Sequence, residues 1–372
     1  MDSYERISLA LKRKEPDRVP VIIFTDIEKN NLSSGAIGYV REFIDAQHNY
    51  LCDELSYICF PGIGADLRKQ EEPLDDGWIR RSYLNEDTVF TELLKYSTRG
   101  MYRNYRKHIL NDITDIISVM GLPYIKPEAN KKYREQAESF SRETRNKMTV
   151  NEFCVFEVHD PVSFLCANAD PQEAAVWTLT ERSLLNEYLS MLSERLLEYL
   201  EYLLKNHELN AFFIISGAEF AIPPLMSPAD FEEFVMPYDR KIIELIHKYG
   251  KQVIVHCHGK TKNFIRRFIE MGADGIHPLD PAGMTGDCVI GNVKADYGRE
   301  VCLIGNIQYQ DFVEGTPRQM EAKVRFLMEA AKNEGGFILS PSCPLFQDNS
   351  DKKIELNIKA YIDAGLKYGA YK

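Results

Sequence analysis

Short apolar runs alternate with helical segments over most of this chain, and this alternation constrains the fold more than any other feature. The later runs are apolar throughout, which is typical of strands that are buried on both faces of a parallel sheet. Candidate strands are residues 19–24, 55–60, 153–158, 211–215, 252–256, 274–277, 301–305 and 336–340. Eight strands alternating with helices predict an α/β fold, namely a (β/α)8 or TIM barrel.

The segments between these runs have helical periodicity. Residues 171–205 carry leucines at steps of three and four, which a 3.6-residue period places on one face: Leu185, Leu189, Leu192, Leu196, Leu200 and Leu203. Residues 228–249 follow Ser227, a good N-cap, and have Pro228 at the first helical position. Further helices are predicted over residues 2–12, 261–271, 317–333 and 352–368.

One region does not fit a minimal barrel. Residues 75–108 predict a β-hairpin or small sheet with a turn at residues 85–87, and residues 126–148 are charged and helical in character. We interpret residues 75–150 approximately as an insertion between the second and third barrel strands. No change of composition marks a second domain, so residues 1–372 are predicted to form a single domain.

Charge and composition exclude several classes of protein. The formal net charge of −11 and pI of about 5.4 argue against a general affinity for nucleic acid or an anionic membrane. No stretch approaches the roughly 20 apolar residues of a membrane span. The eight cysteines are scattered without a C-x-x-C pair, and the first residues lack the apolar core of a signal peptide. A cytoplasmic protein with reduced thiols is expected.

Two groups of candidate metal ligands stand where apolar runs stop. His256 and His258 are two residues apart at the end of the strand 252–256, so both would face the same way and Cys257 would face away. Cys343 follows the last predicted strand. Two imidazoles and a thiolate brought together would form a three-ligand zinc site, and a vacant fourth position is the mark of catalytic zinc.

Other polar residues follow the ends of predicted strands, where barrel enzymes place their site residues. Glu219 comes after the strand 211–215 and is a candidate fourth ligand or general acid. Candidates for the substrate pocket are Asp160, His277, Asn306 and Gln308. For each of them, an ordinary hydrogen bond within a loop is the competing interpretation.

Several segments resemble the uroporphyrinogen decarboxylase superfamily. They include Glu15-Pro16-Asp17-Arg18-Val19-Pro20-Val21, the stretch from Ser227-Pro228 to Pro237-Tyr238, Gly272-Ala273-Asp274-Gly275, Gly305-Asn306-Ile307 and Gly335-Gly336-Phe337-Ile338-Leu339-Ser340. They occur in the family's order and cover most of the chain, most weakly from about residue 25 to residue 150. The resemblance implies the same barrel fold that the alternation predicts.

The superfamily includes decarboxylases and zinc-dependent methyltransferases that work with corrinoid proteins. The decarboxylases bind their polycarboxylate substrate with arginines after the first strand, whereas residues 24–31 here are acidic and contain none. His256-Cys257-His258-Gly259 and the distant Cys343 resemble the methyltransferases, which usually have cysteine where His258 stands. This resemblance implies zinc bound by His256, His258 and Cys343.

The departure at His258 bears on the direction of methyl transfer. A zinc site with one thiolate fewer carries more positive charge, which favours activation of an oxygen leaving group. We therefore expect transfer from a small O-methyl substrate to a corrinoid, cob(I)alamin. Because no Asp-X-His-X-X-Gly motif is present, the corrinoid would arrive on a separate partner protein.

Alternatives remain open at this point. They are transfer of a methyl group from a methylcorrinoid to a thiol, decarboxylation of uroporphyrinogen or a related acid, and a non-catalytic barrel that docks a corrinoid protein. A homodimer is one candidate assembly.

Overall fold

The computed structural model describes residues 1–23, 62–96, 103–148, 154–283, 285–343 and 352–371. Its centre is a parallel sheet whose six strands pair in chain order. These strands are β5 (Cys154–His159), β6 (Ala211–Ser216), β7 (Val253–His256), β8 (Gly275–His277), β9 (Cys302–Ile307) and β10 (Phe337–Pro341). They match the last six strands that the sequence predicts, to within one or two residues at each end.

The first predicted strand closes one side of this sheet. Val21 pairs in parallel with Leu339 of β10, and the backbone N–H groups of Ile22 and Leu339 donate to the carbonyl oxygens of Leu339 and Pro20, each at 3.0 Å. The hydroxyl of Tyr361 donates to the carbonyl oxygens of both Ile22 and Leu339. The chain therefore forms the expected (β/α)8 barrel; the second predicted strand, residues 55–60, lies outside the described residues.

Alternate residues of the strands face two different cores. Phe212, Ile214, Ile254 and Ile304 pack inside the barrel. Their neighbours along the strands face the surrounding helices and form the larger core. Successive side chains of a strand point to opposite faces, so runs that are apolar throughout fill both cores. Helix α1 (Ser3–Leu11) places Ile7, Ala10 and Leu11 in the inner core.

Helices follow the strands around the barrel. Their bounds are α4 (Pro161–Asn168), α5 (Pro171–Thr180), α6 (Arg182–Asn206), α7 (Pro228–Phe234), α8 (Met236–Lys248), α9 (Ile265–Met271), α10 (Ile290–Tyr297), α11 (Tyr309–Val313), α12 (Pro317–Ala331) and α13 (Lys352–Gly369). The six leucines that the sequence places on one face of α6 are all buried. No helix within the described ranges is long and apolar enough to cross a membrane.

Two helices that the sequence predicts as continuous are each divided in the structure. The predicted helix over residues 171–205 breaks at Glu181, whose φ of −128° and ψ of 30° are not helical. The predicted helix over residues 228–249 breaks at Val235, just before Pro237. Proline has no N–H to continue the helical hydrogen bonds, which accounts for the second break.

An antiparallel sheet precedes the third barrel strand, in the region predicted to be an insertion. It has four strands in chain order, β1 (Arg68–Pro73), β2 (Ile79–Leu84), β3 (Val89–Tyr96) and β4 (Arg103–Lys107). The predicted turn at residues 85–87 joins β2 to β3. Helices α2 (Ile113–Met120) and α3 (Lys131–Met148) follow this sheet. The predicted hairpin is thus the middle of a larger sheet. That residues 1–372 form one domain stays a prediction.

Candidate active site at the carboxyl end of the barrel

Polar side chains form a layer at the carboxyl ends of the barrel strands. His159, Ser216, His256 and His277 occupy one row, because β5, β6, β7 and β8 pair at these positions. Ser216 and His256 each stand two residues after an isoleucine of the inner core, so the strand period turns them towards the barrel axis. A layer of polar groups therefore covers the apolar interior, at the end where barrel enzymes carry their active sites.

His256 is oriented by His277. The Nδ1 atoms of the two rings lie 2.8 Å apart, and Nε2 of His277 lies 2.9 Å from the carbonyl oxygen of Pro341. A carbonyl only accepts, so Nε2 of His277 carries its proton and Nδ1 of that ring accepts one from Nδ1 of His256. This arrangement leaves Nε2 of His256 as a lone-pair donor.

His258 is oriented by Asp280. Its Nδ1 donates to Oδ2 of Asp280 at 3.0 Å, and the same oxygen accepts the backbone N–H of Gly259 at 2.9 Å. The other carboxylate oxygen accepts Nε2–H of Gln308 at 3.0 Å. Asp280 is only 3% exposed, so these bonds hold a buried charge and leave Nε2 of His258 pointing away from the carboxylate.

The two histidines have opposite protonation preferences. Burial, together with the nearby rings of His277 and His258, lowers the pKa of His256 well below its usual range. Burial also opposes the charged form of His258, but Asp280 outweighs it and raises the pKa of that ring. Burial alone would raise the pKa of Asp280, but its hydrogen bond to His258 and attraction to that ring, together with the bonds from Gly259 and Gln308, outweigh burial and lower it.

The structure brings together part of the predicted zinc-binding set. The rings of His256 and His258 are neighbours, with centroids 4.8 Å apart, while the Cys257 thiol is buried in the outer core as the strand period predicts. Cys343 follows β10, is half-buried, and has a thiol pKa that burial raises. Across the described parts of the chain, no three His, Cys, Asp or Glu side chains are already placed to hold one metal ion. The metal site stays a prediction.

Glu219 stands just beyond β6, in a short 3₁₀ helix over Ala218–Ala221. Its Oε2 atom is buried and makes no hydrogen bond to any described residue. Burial raises the pKa of this carboxyl, against the opposing effects of backbone hydrogen bonds and of the His258 and His159 rings. A buried carboxyl with a raised pKa at the barrel mouth suits the role of a general acid.

The predicted substrate-pocket residues make structural hydrogen bonds. Asp160 is fully buried and caps α4 through the N–H of Ser163, at 2.6 Å. The Asn306 amide donates to the carbonyl of Leu279 at 2.9 Å. His277 and Gln308 orient His256 and Asp280, as described above. Contact of these four residues with a substrate stays a prediction.

Sequence reasoning did not identify Asp280, the residue on which this arrangement depends. It follows β8 by three residues, beyond His277-Pro278-Leu279, and no pattern pairs it with His258 twenty-two positions earlier. Its position after a predicted strand was the one available signal. The Ser216 hydroxyl, which donates to Oε1 of Glu157 at 2.5 Å, was missed for the same reason.

Comparison with known proteins agrees with this architecture. The model of the uroporphyrinogen decarboxylase (URO-D) family matches residues 161–363. The structure is similar to that of a methyltransferase from Methanosarcina mazei, with a TM-score of 0.65, 15% identity and 99% coverage of both chains. It is also similar, with a TM-score of 0.47, 10% identity and coverage of 92% of this chain and 86% of the other, to a B12-independent methionine synthase from Shewanella sp. W3-18-1. No curated protein matches.

The first of these structures shares the fold along the whole chain. The family match covers β6 to β10, the strands that carry Glu219, the histidine pair and Asp280. Together with the observed barrel, this match identifies the chain as a member of the uroporphyrinogen decarboxylase family.

Proposed function

We propose that this protein is a zinc-dependent methyltransferase of a corrinoid system. In this proposal it transfers a methyl group from a small O-methyl substrate to cob(I)alamin carried by a separate protein. The observation that carries the proposal is the orientation of the two imidazoles. Both use Nδ1 for hydrogen bonds within the protein, to His277 and Asp280. This leaves the Nε2 atom of each ring able to donate its lone pair to a metal ion.

The histidine pair fits the chemistry of zinc. Histidines that bind zinc usually donate their other ring N–H to a carboxylate, a carbonyl or another fixed acceptor, which sets the tautomer and the ring orientation. We assign His256, His258 and Cys343 as the ligands, and binding would displace the proton that Asp280 favours on His258. When bound, zinc would act as a Lewis acid towards the substrate oxygen.

Glu219 supports transfer from an oxygen-bound methyl group. When the bond between the methyl group and the substrate oxygen breaks, that oxygen needs a proton. The carboxyl of Glu219 has a raised pKa and a buried oxygen without a described partner, so it can hold this proton. A thiol acceptor would instead lose a proton, and a protonated acid would not assist it.

Asp280 modifies the charge argument that His258 suggests. Replacing a thiolate ligand with imidazole makes the site more positive, but the Asp280 carboxylate beside His258 returns one negative charge. The direction of transfer therefore rests more on Glu219 than on the charge of the ligands.

The fold comparison is consistent with this proposal. The similar structure from Methanosarcina mazei is described as a methyltransferase. At 15% identity it supports the choice of reaction class only through the shared fold. Docking of a corrinoid protein at the carboxyl end of the barrel would bring its cofactor to the histidine pair.

Elemental analysis and a methyl-transfer assay test the proposal. Purified protein should contain about one zinc per chain, and Cys343→Ala should lose it. The buried Cys166→Ala is the matched control, because this cysteine packs in the outer core and should leave zinc unchanged. Zinc-loaded protein should methylate cob(I)alamin with an O-methyl donor. Equal zinc in Cys343→Ala and Cys166→Ala would remove Cys343 from the ligand set.

The variant His258→Cys tests the direction of transfer. Provided that it binds zinc, it should demethylate O-methyl substrates more slowly, while methylation of a thiol by methylcobalamin should hold or improve. Glu219→Gln should slow only the first of these reactions, because only that reaction needs the proton. If Glu219→Gln slows both reactions equally, the acid role assigned to Glu219 is wrong.

A further inference from the structure

A cavity of about 470 Å³ lies between the inserted sheet and the barrel mouth. One wall consists of side chains from β1 to β4, and the other of side chains from the end of β5, from α4 and from the 3₁₀ helix after β6. Its volume is in the range of small-molecule sites, which commonly lie between two structural units.

The charged residues of this cavity leave one arginine for an anion. Arg81 is committed to Glu92 and Glu71, at 2.8 and 2.7 Å. Lys69 is committed to Glu71 at 2.9 Å. Arg103 also lines the cavity, where its guanidinium donates a hydrogen bond to the Tyr105 hydroxyl; among the described residues, it forms no ion pair with a carboxylate. The guanidinium group of arginine is the side chain best suited to hold a carboxylate by two hydrogen bonds.

The cavity walls are aromatic on both sides. Tyr83, Tyr96 and Tyr105 line it from the inserted sheet, and Phe164 and Phe220 line it from the barrel. The Arg103 guanidinium lies 5.8 Å from the centre of the Tyr96 ring, so a cation–π contact holds it against the aromatic wall. Aromatic side chains on both walls favour an aromatic ring as the ligand, because stacked and edge-to-face contacts add to the burial of apolar area.

The inner end of the cavity leads to the histidine pair. His159 lines the cavity and stands in the strand row that continues through Ser216 to His256. At about 4.8 Å per strand, His159 is roughly 10 Å from His256. Phe220, which also lines the cavity, directly follows Glu219. One end of a ligand can therefore be near Arg103 while the other approaches the barrel mouth.

The geometry points to a binding site for an aromatic carboxylate, with the carboxylate on Arg103, the ring between the tyrosines and phenylalanines, and an O-methyl substituent directed towards Glu219. That this ligand is the substrate rests on the proposed methyl transfer. That the cavity binds an aromatic carboxylate does not.

Titration calorimetry without corrinoid tests the site directly. The probe is 4-methoxybenzoate, compared with its uncharged isostere 4-methoxybenzamide and with 4-methoxycyclohexanecarboxylate. The benzoate should bind about 10- to 100-fold more tightly than the benzamide, which is the range for a hydrogen bond to a charged group. It should also bind several-fold more tightly than the cyclohexane acid.

Two arginines of the same strand provide the matched variants. Arg103→Gln should remove the preference for benzoate over benzamide. Arg106→Gln should keep it, because Arg106 stacks on Trp78 at 4.1 Å and does not line the cavity. Phe164→Leu should reduce the preference for the aromatic ring over the cyclohexane ring and leave the preference for the charge unchanged. Far-ultraviolet circular dichroism would show that each variant is folded.

The outcomes separate this inference from the proposed methyl transfer. Equal affinity for benzoate and benzamide, no binding of either, or the same loss in Arg103→Gln and Arg106→Gln would each overturn the aromatic-carboxylate site. Arg103-dependent binding of 4-methoxybenzoate without methyl transfer to cob(I)alamin would uphold the site and count against the proposed reaction. Methyl transfer from O-methyl donors that lack a ring, without benzoate binding, would support the proposed reaction and overturn the aromatic-carboxylate site.

Discussion

At the residue scale, Asp280 determines what His258 can do. It accepts both the ring N–H of His258 and the backbone N–H of Gly259, so it fixes the side chain and the turn that carries it. His256 is oriented in the same way by the ring of His277, which is itself held by a hydrogen bond to the carbonyl oxygen of Pro341. One imidazole is therefore kept neutral and the other is given a carboxylate partner.

We expect Asp280→Asn to weaken zinc binding by about 10- to 100-fold, the usual effect of removing a group that orients a metal ligand. Competition with a chromogenic chelator measures this. Asp274→Asn is the control, because Asp274 also accepts a histidine ring and a backbone N–H but stands before β8, at the opposite end of the barrel. Equal zinc affinity in Asp280→Asn and wild type would show that His258 binds zinc without this partner, or not at all.

The pair of His247 and Asp274 predicts a pH dependence of stability. The hydrogen bond that His247 donates to Asp274 raises the pKa of His247 against the opposing effect of burial. An unfolded histidine has a pKa of about 6.5. The stabilisation is therefore complete below that pH and is lost as the pH rises through the higher value of the folded state. Because the His247 side chain is 38% exposed, we expect its ion pair with Asp274 to contribute no more than about 1 kcal/mol to the free energy of unfolding.

Urea unfolding of wild type and His247→Gln at pH 5.5 and pH 9 measures this dependence. The variant should lose more stability, relative to wild type, at pH 5.5. His207→Gln should show the opposite trend, because burial lowers the pKa of His207 and protonation then opposes folding. A constant difference between His247→Gln and wild type across this range would rule out the predicted linkage.

At the scale of single elements, the turn after β6 positions Glu219. Gly217 has a φ of +117°, and a Cβ atom there would lie 2.2 Å from Cβ of Ser163. The chain can therefore pass α4 closely only because this residue has no side chain. The same close contact places the Asp160 carboxyl, which caps α4, beneath the turn.

Gly217→Ala should destabilise the protein by about 2 to 5 kcal/mol, from the left-handed backbone and the overlap with Ser163. Gly250→Ala is the matched control, because Gly250 has a φ of +70° but nothing within 4 Å of an added Cβ, so it should cost only about 1 to 2 kcal/mol. Denaturant unfolding gives both values. Equal losses would mean that the turn moves to accommodate the methyl group.

At the scale of the whole molecule, closure of the barrel brings residues far apart in the chain to one mouth. His277 contacts both His256 and Pro341, so the carboxyl ends of β7, β8 and β10 meet through a single ring. The inserted sheet then adds a second wall beside the mouth, with cations and tyrosines facing the end of β5. Positions that share no local sequence pattern are in this way combined into one site.

We expect no decarboxylation of uroporphyrinogen. A substrate with many carboxylates needs several cations, and residues 24–31, which lie outside the described residues, have three charged side chains, of which only Lys29 is positive. Incubation with uroporphyrinogen and analysis for coproporphyrinogen tests this expectation, with an active decarboxylase of the family as the positive control. Turnover at about 1 per second or faster, a rate typical of enzymes, would reverse the assignment.

The sequence by itself determined the barrel, because its strands are short apolar runs whose period and spacing are local properties. It also predicted that His256 and His258 face one way and Cys257 the other, since that follows from strand geometry alone. The division of the helix at Val235 could have been anticipated from Pro237. The break at Glu181 has no comparable signal.

Only the tertiary structure decided which polar residues meet. The bonds between His258 and Asp280 and between His277 and Pro341 join residues at or just beyond the ends of different strands. Their partners follow from the register and curvature of the closed sheet. The unmatched oxygen of Glu219 and the cavity beside Arg103 likewise arise where separate elements pack together. Apolar periodicity encodes which faces are buried, whereas the environment of each polar group depends on residues that are distant in the chain.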